Sequence, residues 1–468
     1  MNIIPRGKQE EVMALPAKGH IVVLGTAGSG KTTIALLRAY HLANIPDAGK
    51  VLLVTFNRAL VKYMEAIKNF QSKNLVVENY HKYARGYLKS RGKILHGNII
   101  VSSMEKEKYI EKALQDLSLK YPLESTYKRS KDFFLEEISF IEKFGLVNFE
   151  EYKKAERIGR AASNIKRENR KWVFYLFERY IELRENDGKK YDWDDMAYYV
   201  FNELKIDVNR RYSHIIVDEG QDFSPMMIKS LVESVDKNGS FTFFGDVAQQ
   251  IYGSRLSWRD SGIDVSKVWK FDINYRNPES IIKFAKAITQ NKYWKKDKDM
   301  IEATTQIAKG PKPVLIEFLN EQEEIMWIVK QAIEVGKTAS TVIICKKRYE
   351  IDMLLYKLKE KGCIGIEIDK NTPGFADEKK VYLSTYYAAK GLEFDNVFIP
   401  FLSKKRFSSF DNILQTESEN EFYADRIKLL YVAATRSKYG LYMSYSGELT
   451  QLFPKKSNTY DFYKGVDL

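Results

Sequence analysis

Eight consecutive residues hold the most specific chemistry in this chain: Gly25-Thr26-Ala27-Gly28-Ser29-Gly30-Lys31-Thr32, which fits G-x-x-x-x-G-K-S/T. Glycines at this spacing let backbone N–H groups wrap phosphate oxygens, and a helix starting there turns its N-terminus toward the anion. Lys31 would reach the β and γ phosphates, and the Thr32 hydroxyl would bind Mg²⁺, with Thr33 next on the helix. A Gly-rich turn before a helix is the bland alternative, and the flanking strand and helix patterns argue against it. A second segment, Val217-Asp218-Glu219-Gly220-Gln221-Asp222, follows an apolar run. An acidic residue at such a strand end suits a metal ligand, which is the role for Asp218. Glu219 then suits a general base orienting the attacking water. Acidic strand-to-loop turns are common, but that reading leaves the adjoining Gln-Asp pair unexplained.

More motifs follow in order: Gly245-Asp246-Val247-Ala248-Gln249-Gln250-Ile251-Tyr252, Asn274-Tyr275-Arg276, Ala389-Lys390-Gly391-Leu392-Glu393-Phe394 and Tyr431-Val432-Ala433-Ala434-Thr435-Arg436. Gln249 is placed to sense the γ-phosphate. Charge accumulates on the equatorial oxygens during phosphoryl transfer, and arginines reaching across a cleft stabilise it, as Arg276 and Arg436 would. Either arginine alone is more often a surface ion pair. Together the motifs describe an ATP-driven motor on nucleic acid. Domain closure would depend on the γ-phosphate.

The elements that must position these residues are short apolar strands alternating with helices. His20–Gly25, Val51–Thr55, His214–Asp218 and Phe241–Gly245 read as buried strands, with helices over Lys31–Ala43 and from Asn57 to about Asn69. That pattern predicts a parallel sheet covered on both faces, with ligands at the carboxyl ends of its strands. A second set begins near Phe271, with strands at Pro313–Phe318, Thr341–Cys345, Val381–Ser384 and Asn396–Pro400, and a loop over Ser403–Glu421. Between them, Ser103–Lys120, Lys131–Phe144 and Glu168–Arg184 read as helices rich in Lys and Arg. The expected architecture is α/β: a first parallel-sheet domain over residues 1–85 and 191–270, a basic helical insertion over 86–190, and a second parallel-sheet domain over 271–468.

Composition sets the bounds. Hydrophobic content of 44% and charged content of 29% are those of a soluble globular chain, and a net charge of +13 favours a polyanionic partner. Cys345 and Cys363 make neither a metal-ligand spacing nor a disulfide framework, which suits free thiols in a reducing compartment. The first residues show no apolar signal region, and no apolar run is long enough to span a bilayer. A cytoplasmic protein with no membrane partner is the expectation.

With these residues in this order and spacing, the chain resembles the superfamily 1 helicases of the UvrD/Rep type from Gln9 to about Ser444. The resemblance implies two RecA-like motor domains, use of ATP and Mg²⁺, and 3′-to-5′ movement on single-stranded DNA or on DNA with a single-stranded tail. It implies that Gln9 reads adenine, Tyr275 stacks on it and Glu393 holds the ribose. It implies DNA contacts from Thr55-Phe56-Asn57-Arg58, His81, Tyr252, Arg255, Trp258, Thr385 and Tyr387. Asp192-Trp193-Asp194-Asp195-Met196 is similar to the acidic segment preceding the Mg²⁺-binding strand. Ser254 stands where the family has a base-stacking aromatic. Trp258 could take over that role or could simply pack in the core. Tyr387 stands where the family often has His. The stretch from Lys31 to Asp218 has room for a helical insertion, whereas that from Arg276 to Thr385 lacks room for the family's large second insertion.

The first reading is therefore an ATP-dependent single-stranded-DNA translocase and helicase. The alternatives are an ATP-sensing, DNA-binding subunit of a repair or defence complex, with a protein partner such as a nuclease, and an RNA-directed or 5′-to-3′ motor. No separate metal-nuclease cluster appears. The basic segment generates a prediction. Neutralising Arg157, Arg160, Lys166 and Arg167 together should flatten the slope of log affinity for single-stranded DNA against log salt by up to ~3. An unchanged slope in a salt titration would return the segment to an ordinary solvated helical face.

Overall fold

The computed structural model describes the chain except residues 1–3, 48, 57–60, 62–71, 156–164, 208, 210–211, 247–257, 259–260, 266, 295–300, 302, 306–308, 369–378, 410–418, 456–457 and 468. The helix expected from Asn57 therefore lies almost wholly outside the described residues. The first sheet holds β1 (Gly19–Gly25), β2 (Val51–Thr55), β3 (Leu75–Asn79), β4 (Tyr212–Asp218), β5 (Val235–Gly245) and β6 (Val268–Phe271) in the order β3-β2-β4-β5-β1-β6. Every pairing in it is parallel. A short pair, β7 (Ile273–Asn274) and β8 (Thr304–Thr305), follows. The second sheet holds β9 (Val314–Phe318), β10 (Thr341–Cys345), β11 (Ile366–Glu367), β12 (Val381–Thr385), β13 (Phe394–Ile399), β14 (Ser437–Ser446) and β15 (Asp461–Lys464). Its order is β11-β12-β10-β13-β14-β9-β15, again all parallel.

Alternation along the strands explains the layering. Val22, Leu24, Leu52, Val54, Ile215 and Val217 face one apolar cluster, whereas Ile21, Val23, Val51, Leu53 and Ile216 face another, closed by the helix Lys31–Ala43. The second sheet is likewise buried on both faces. Both faces of these strands are apolar, so hydrophobicity alone cannot set their register. The polar strand ends supply the missing constraint, because Thr55 and Asp218 lie side by side at the carboxyl ends of β2 and β4.

Apart from the helix expected from Asn57, the expected elements are present with changes of boundary, the largest being β5, which begins at Val235. Phe271 belongs to β6 of the first sheet. The segment expected as a loop from Ser403 contains a helical turn, Lys404–Phe407, and the helix Glu419–Ala434 begins inside it. β3, β6, β7, β8, β11, β14 and β15 are additions. The buried positions of β14 do not alternate, and β15 is a short edge strand with three exposed residues, which offers little apolar signal.

The three basic helices form a separate body around their own apolar cluster, including Ile110, Phe133, Phe134, Ile138 and Tyr180. Ser102 and Ser130 start two of them by accepting the N–H of Glu105 and Phe133, and Gly145 ends the second in a left-handed conformation. Buried ion pairs fasten this body to the segment before β4. Lys106 Nζ lies 2.7 Å from Asp192 and 3.1 Å from Asp194, and buried Arg184 pairs with Asp195. The acidic segment therefore has a structural task. Glu142, Asp192 and Asp194 lie close enough to hold a cation, and the Lys106 ammonium already stands among them. No helix among the described residues is long and apolar enough to cross a membrane.

Arg38, fully buried on the helix Lys31–Ala43, donates to the carbonyls of Val12 at 2.9 Å, Leu15 at 3.2 Å and Pro16 at 3.1 Å. It anchors the segment that carries Gln9. Arg38→Met would strand these acceptors, at a cost of about 3 kcal/mol. We predict a fall of at least ~5 °C in the first thermal transition. A variant melting with the parent would show that the anchor is dispensable.

Candidate functional site

Parallel register brings the motifs to one edge. Leu24 pairs with Gly245, Gly25 with Phe271, Val217 with Phe243 and Thr55 with both Asp218 and Asn79. The phosphate loop after β1, Asp218-Glu219 after β4 and Asp246 after β5 thus emerge together at the carboxyl ends of adjacent strands.

The loop is held from both sides. Gly28 and Gly30 have φ of 71° and 81°, a region that disfavours side chains. A Cβ on Gly28 would come within 2.5 Å of Asn274 Oδ1. Gln9 Nε2 donates to the Ser29 carbonyl at 2.9 Å, and the Tyr275 N–H donates to the Gly28 carbonyl at 3.0 Å. Buried Lys31 donates from Nζ to the carbonyls of Gly25 at 2.9 Å and Thr26 at 2.7 Å, and stands 3.7 Å from Asp246 Oδ2.

Asp218 is fully buried, and neither carboxylate oxygen has a hydrogen-bond partner of ordinary geometry among the described residues, although the Thr32 hydroxyl is adjacent. The Thr26 hydroxyl is orphaned in the same way. Buried polar atoms normally find partners. Two bare oxygens beside a threonine hydroxyl are a donor set that fits a hard divalent cation such as Mg²⁺. Burial pushes Asp218 up to about 7, and the adjacent Glu219 charge adds to the rise.

Glu219 adopts φ 52°, ψ 39°, a left-handed conformation rare for a residue with a side chain and costing on the order of 1–3 kcal/mol. Gln221 braces it. Its Nε2 donates to Glu219 Oε2 at 2.5 Å while its Oε1 accepts the Asp246 N–H at 2.8 Å. Burial opposes ionisation of Glu219, but the ammoniums of Lys31 and Lys390 outweigh it and hold the carboxyl below its usual range.

The second sheet contributes the facing cations, and it does so from the amino ends of its strands. Glu393 and Arg436 immediately precede β13 and β14, where Phe394 pairs with Ser437. Arg276 Nη2 donates to Glu393. Arg436 is buried and donates to the carbonyls of Val432 at 2.9 Å and Leu392 at 3.5 Å. Burial, with repulsion from Arg276, pushes its guanidinium down to about 10, while Glu219 and Glu393 act the other way. Lys390 forms a buried ion pair with Asp222 across the seam.

Gln9, Gly25–Thr32, Asp218, Glu219, Arg276, Glu393 and Arg436 therefore meet in one place, with Tyr275 against the loop. Among the residues expected to touch DNA, Thr55 is buried at its strand end, and Phe56 meets His81 edge-on at 5.7 Å. Half-buried Trp258 packs edge-on against Phe243 at 4.9 Å, at the margin of the apolar cluster. Thr385 accepts the Ala388 N–H at 3.1 Å at the carboxyl end of β12, and Tyr387 is 45% exposed beside it. Thr385 and Tyr387 stand at the opposite strand ends from Glu393 and Arg436. Gln249, Tyr252, Arg255, Asn57 and Arg58 lie outside the described residues, as do Arg157 and Arg160. Sequence reasoning gave no role to Gln221, Asp222, Lys390 or Asn277. All but Asn277 fell inside quoted motifs, and the signal available for Asn277 was a second amide three residues after Asn274.

Two parallel sheets meeting at a phosphate loop define a two-domain P-loop nucleotide-binding protein. The UvrD/REP helicase N-terminal domain family matches residues 6–267, and the UvrD-like helicase C-terminal domain family matches residues 269–372 and 366–448. The chain belongs to the UvrD/Rep helicase family. It is 25% identical over 403 residues to YjcD of Bacillus subtilis, named as an ATP-dependent DNA helicase, covering 80% of this chain and 50% of that one. It is 22% identical over 472 residues to a protein of Mycoplasma pneumoniae named as a DNA helicase, covering 93% and 82%. It is 21% identical over 209 residues to RexA of Lactococcus lactis, named as an exonuclease/helicase subunit, covering 43% and 16%. The chain spans about half the length of most of the curated relatives it matches.

Burial pushes Asp222 up to about 6 despite Lys390, with Glu219 and Asp246 adding to the rise. Removing Lys390 raises it further. A carboxyl raised above its unfolded value favours the fold at low pH, and that advantage is lost as pH climbs through the folded value. Lys390→Met should therefore melt near the parent at about pH 5 and lose ~3 kcal/mol of stability by about pH 8. Asp222→Asn in the same background should remove the difference. Equal melting losses at both pH values would contradict this.

Proposed function

We propose that this chain is an ATP-hydrolysing motor that translocates 3′ to 5′ on single-stranded DNA. The observation that carries the reading is the seam itself, where a braced acidic pair and a phosphate loop on the first sheet face Lys390 and Arg436 from the second, with Arg276 supplied by the segment after β7. Family membership supplies the nucleic-acid side of the reading. We take residues 1–85 and 191–270 as the first motor domain, 86–190 as its helical insertion and 271–468 as the second motor domain.

In this reading Gln9 and Tyr275 take the adenine, Glu393 the ribose, and Lys31 the outer phosphates. Thr32 and Asp218 would hold Mg²⁺, which would supply charge neutralisation on the phosphates. Glu219 is kept ionised by its neighbouring cations and positioned by Gln221, so it can orient water and accept its proton. Arg276 and Arg436 already lie within the site, and releasing their contacts to Glu393 and to backbone carbonyls would aim them at developing charge. Delivery of Arg436 by the second sheet links nucleotide state to domain position. Thr55, Phe56, His81, Thr385 and Tyr387 would then hand the strand from one domain to the other. The stretch between Arg276 and Thr385 is taken up by β8–β12 and their helices, which favours translocation over unaided unwinding.

A second reading, an ATP-gated component of a larger complex that includes a nuclease, is favoured by the similarity to the exonuclease/helicase protein RexA. Steady-state ATP hydrolysis with and without single-stranded DNA separates the two. Strong stimulation by single-stranded DNA supports the motor, and little turnover despite ATP binding supports the gated component. In the motor, Glu219→Gln should retain ATP binding and lose hydrolysis by at least ~100-fold. Near-parental turnover in that variant would remove Glu219 from the role of base.

A further inference from the structure

Two buried asparagines join the phosphate loop to the segment that presents Arg436. Asn274 and Asn277 are 2% and 1% exposed. Asn274 Nδ2 donates to the Ala27 carbonyl at 2.7 Å and to Asn277 Oδ1 at 2.8 Å. Its Oδ1 accepts the backbone N–H groups of Arg276 and Asn277, both at 2.9 Å. Asn277 Nδ2 then donates to the carbonyls of Thr435 at 3.1 Å and Ser437 at 2.6 Å, which flank Arg436. Each amide orientation is forced. Carbonyls can only accept, so both Nδ2 atoms must face them, and both Oδ1 atoms are left facing donors.

We propose that Asn274 and Asn277 form a positioning relay that sets Arg436 against the phosphate loop for hydrolysis. The inference rests on the reading of Arg436 given above. The amides touch neither nucleotide nor DNA in that reading. They act on the arginines through the backbone, since Asn274 holds the Arg276 N–H and Asn277 holds the carbonyls of the residues on either side of Arg436. The relay crosses the seam, so it translates the position of the Ala27 carbonyl into the position of the second sheet's arginine. A Cβ on Gly28 would strike Asn274 Oδ1 at 2.5 Å, and the loop can be this close only because position 28 is glycine. Misplacement of a reacting group by about 1 Å can cost on the order of 100-fold in rate, so a short relay with no spare hydrogen bonds is an effective way to fix it.

A double-mutant cycle in the full chain tests this. Single-turnover ATP hydrolysis with saturating single-stranded DNA would be measured for the parent, Asn277→Ala, Arg436→Ala and the double variant, alongside binding of a fluorescent ATP analogue. Asn277→Ala should slow hydrolysis by at least ~10-fold while changing the analogue's affinity by less than ~3-fold. In the Arg436→Ala background the same substitution should cost less than ~2-fold, because the group it positions is gone. Asn277→Ser, which keeps one donor, should recover part of the rate. Additive losses, with Arg436→Ala itself slow, would overturn the relay and leave the site reading intact. An Arg436→Ala variant that hydrolyses at the parental rate would overturn the site reading and the relay together. If Asn277→Ala fails to fold, Asn277→Ser carries the same cycle.

Discussion

The seam between the sheets depends on the neutralisation of carboxylates that the first sheet has taken out of water. Asp218, Asp246 and the Asp222 side chain are nearly or wholly buried, and Glu219 is braced beside them. Within the first sheet Lys31 is the cation placed among them, 3.7 Å from Asp246. Uncompensated buried charges are costly. The remaining compensation comes from the other sheet, through Lys390 against Asp222 and Arg436 near Glu219. Charge balance at this seam therefore demands that the second sheet be close, and any event that changes charge there must change what holds the two sheets together.

That demand gives the strand polarities their meaning. The first sheet presents carboxyl ends, where parallel strands release loops bearing Gly25–Thr32, Asp218 and Asp246. The second sheet presents the amino ends of β13 and β14, where Glu393 and Arg436 stand, and keeps Thr385 at the far end of β12. One sheet can thus address the seam with one set of strand ends and a different surface with the other. The sheet between those ends is a direct mechanical link, because its central strands β10, β12 and β13 are packed on both faces. The backbone at Glu219 adds a fixed point, as its left-handed conformation persists only when its surroundings determine it.

Much of this was legible in the residues alone. Apolar runs such as Val51–Thr55 and Thr341–Cys345 are strands with the expected ends. The helices Lys31–Ala43, Ser103–Lys120 and Lys131–Phe144 also match, since periodicity and serine or glycine caps are local signals. The phosphate loop was legible for the same reason. Edge strand β15 was not, because three of its four residues are exposed and little apolar pattern remains to be read. The acidic run at Asp192 was legible only as a resemblance, because its partners are Lys106 and Arg184 from the helical body, and nothing local announces them.

By itself, the sequence determined the fold class, the phosphate-binding loop and the identity of the acids and arginines around it, because each depends on neighbours within a few residues or on a repeating period. Tertiary structure decided which of these groups oppose one another. Lys390 meets Asp222 across 168 residues of chain, and Asn277 reaches Thr435 across 158. Such pairings follow from sheet order, register and the cost of leaving a buried polar group alone. None of these quantities is carried by a residue and its near neighbours.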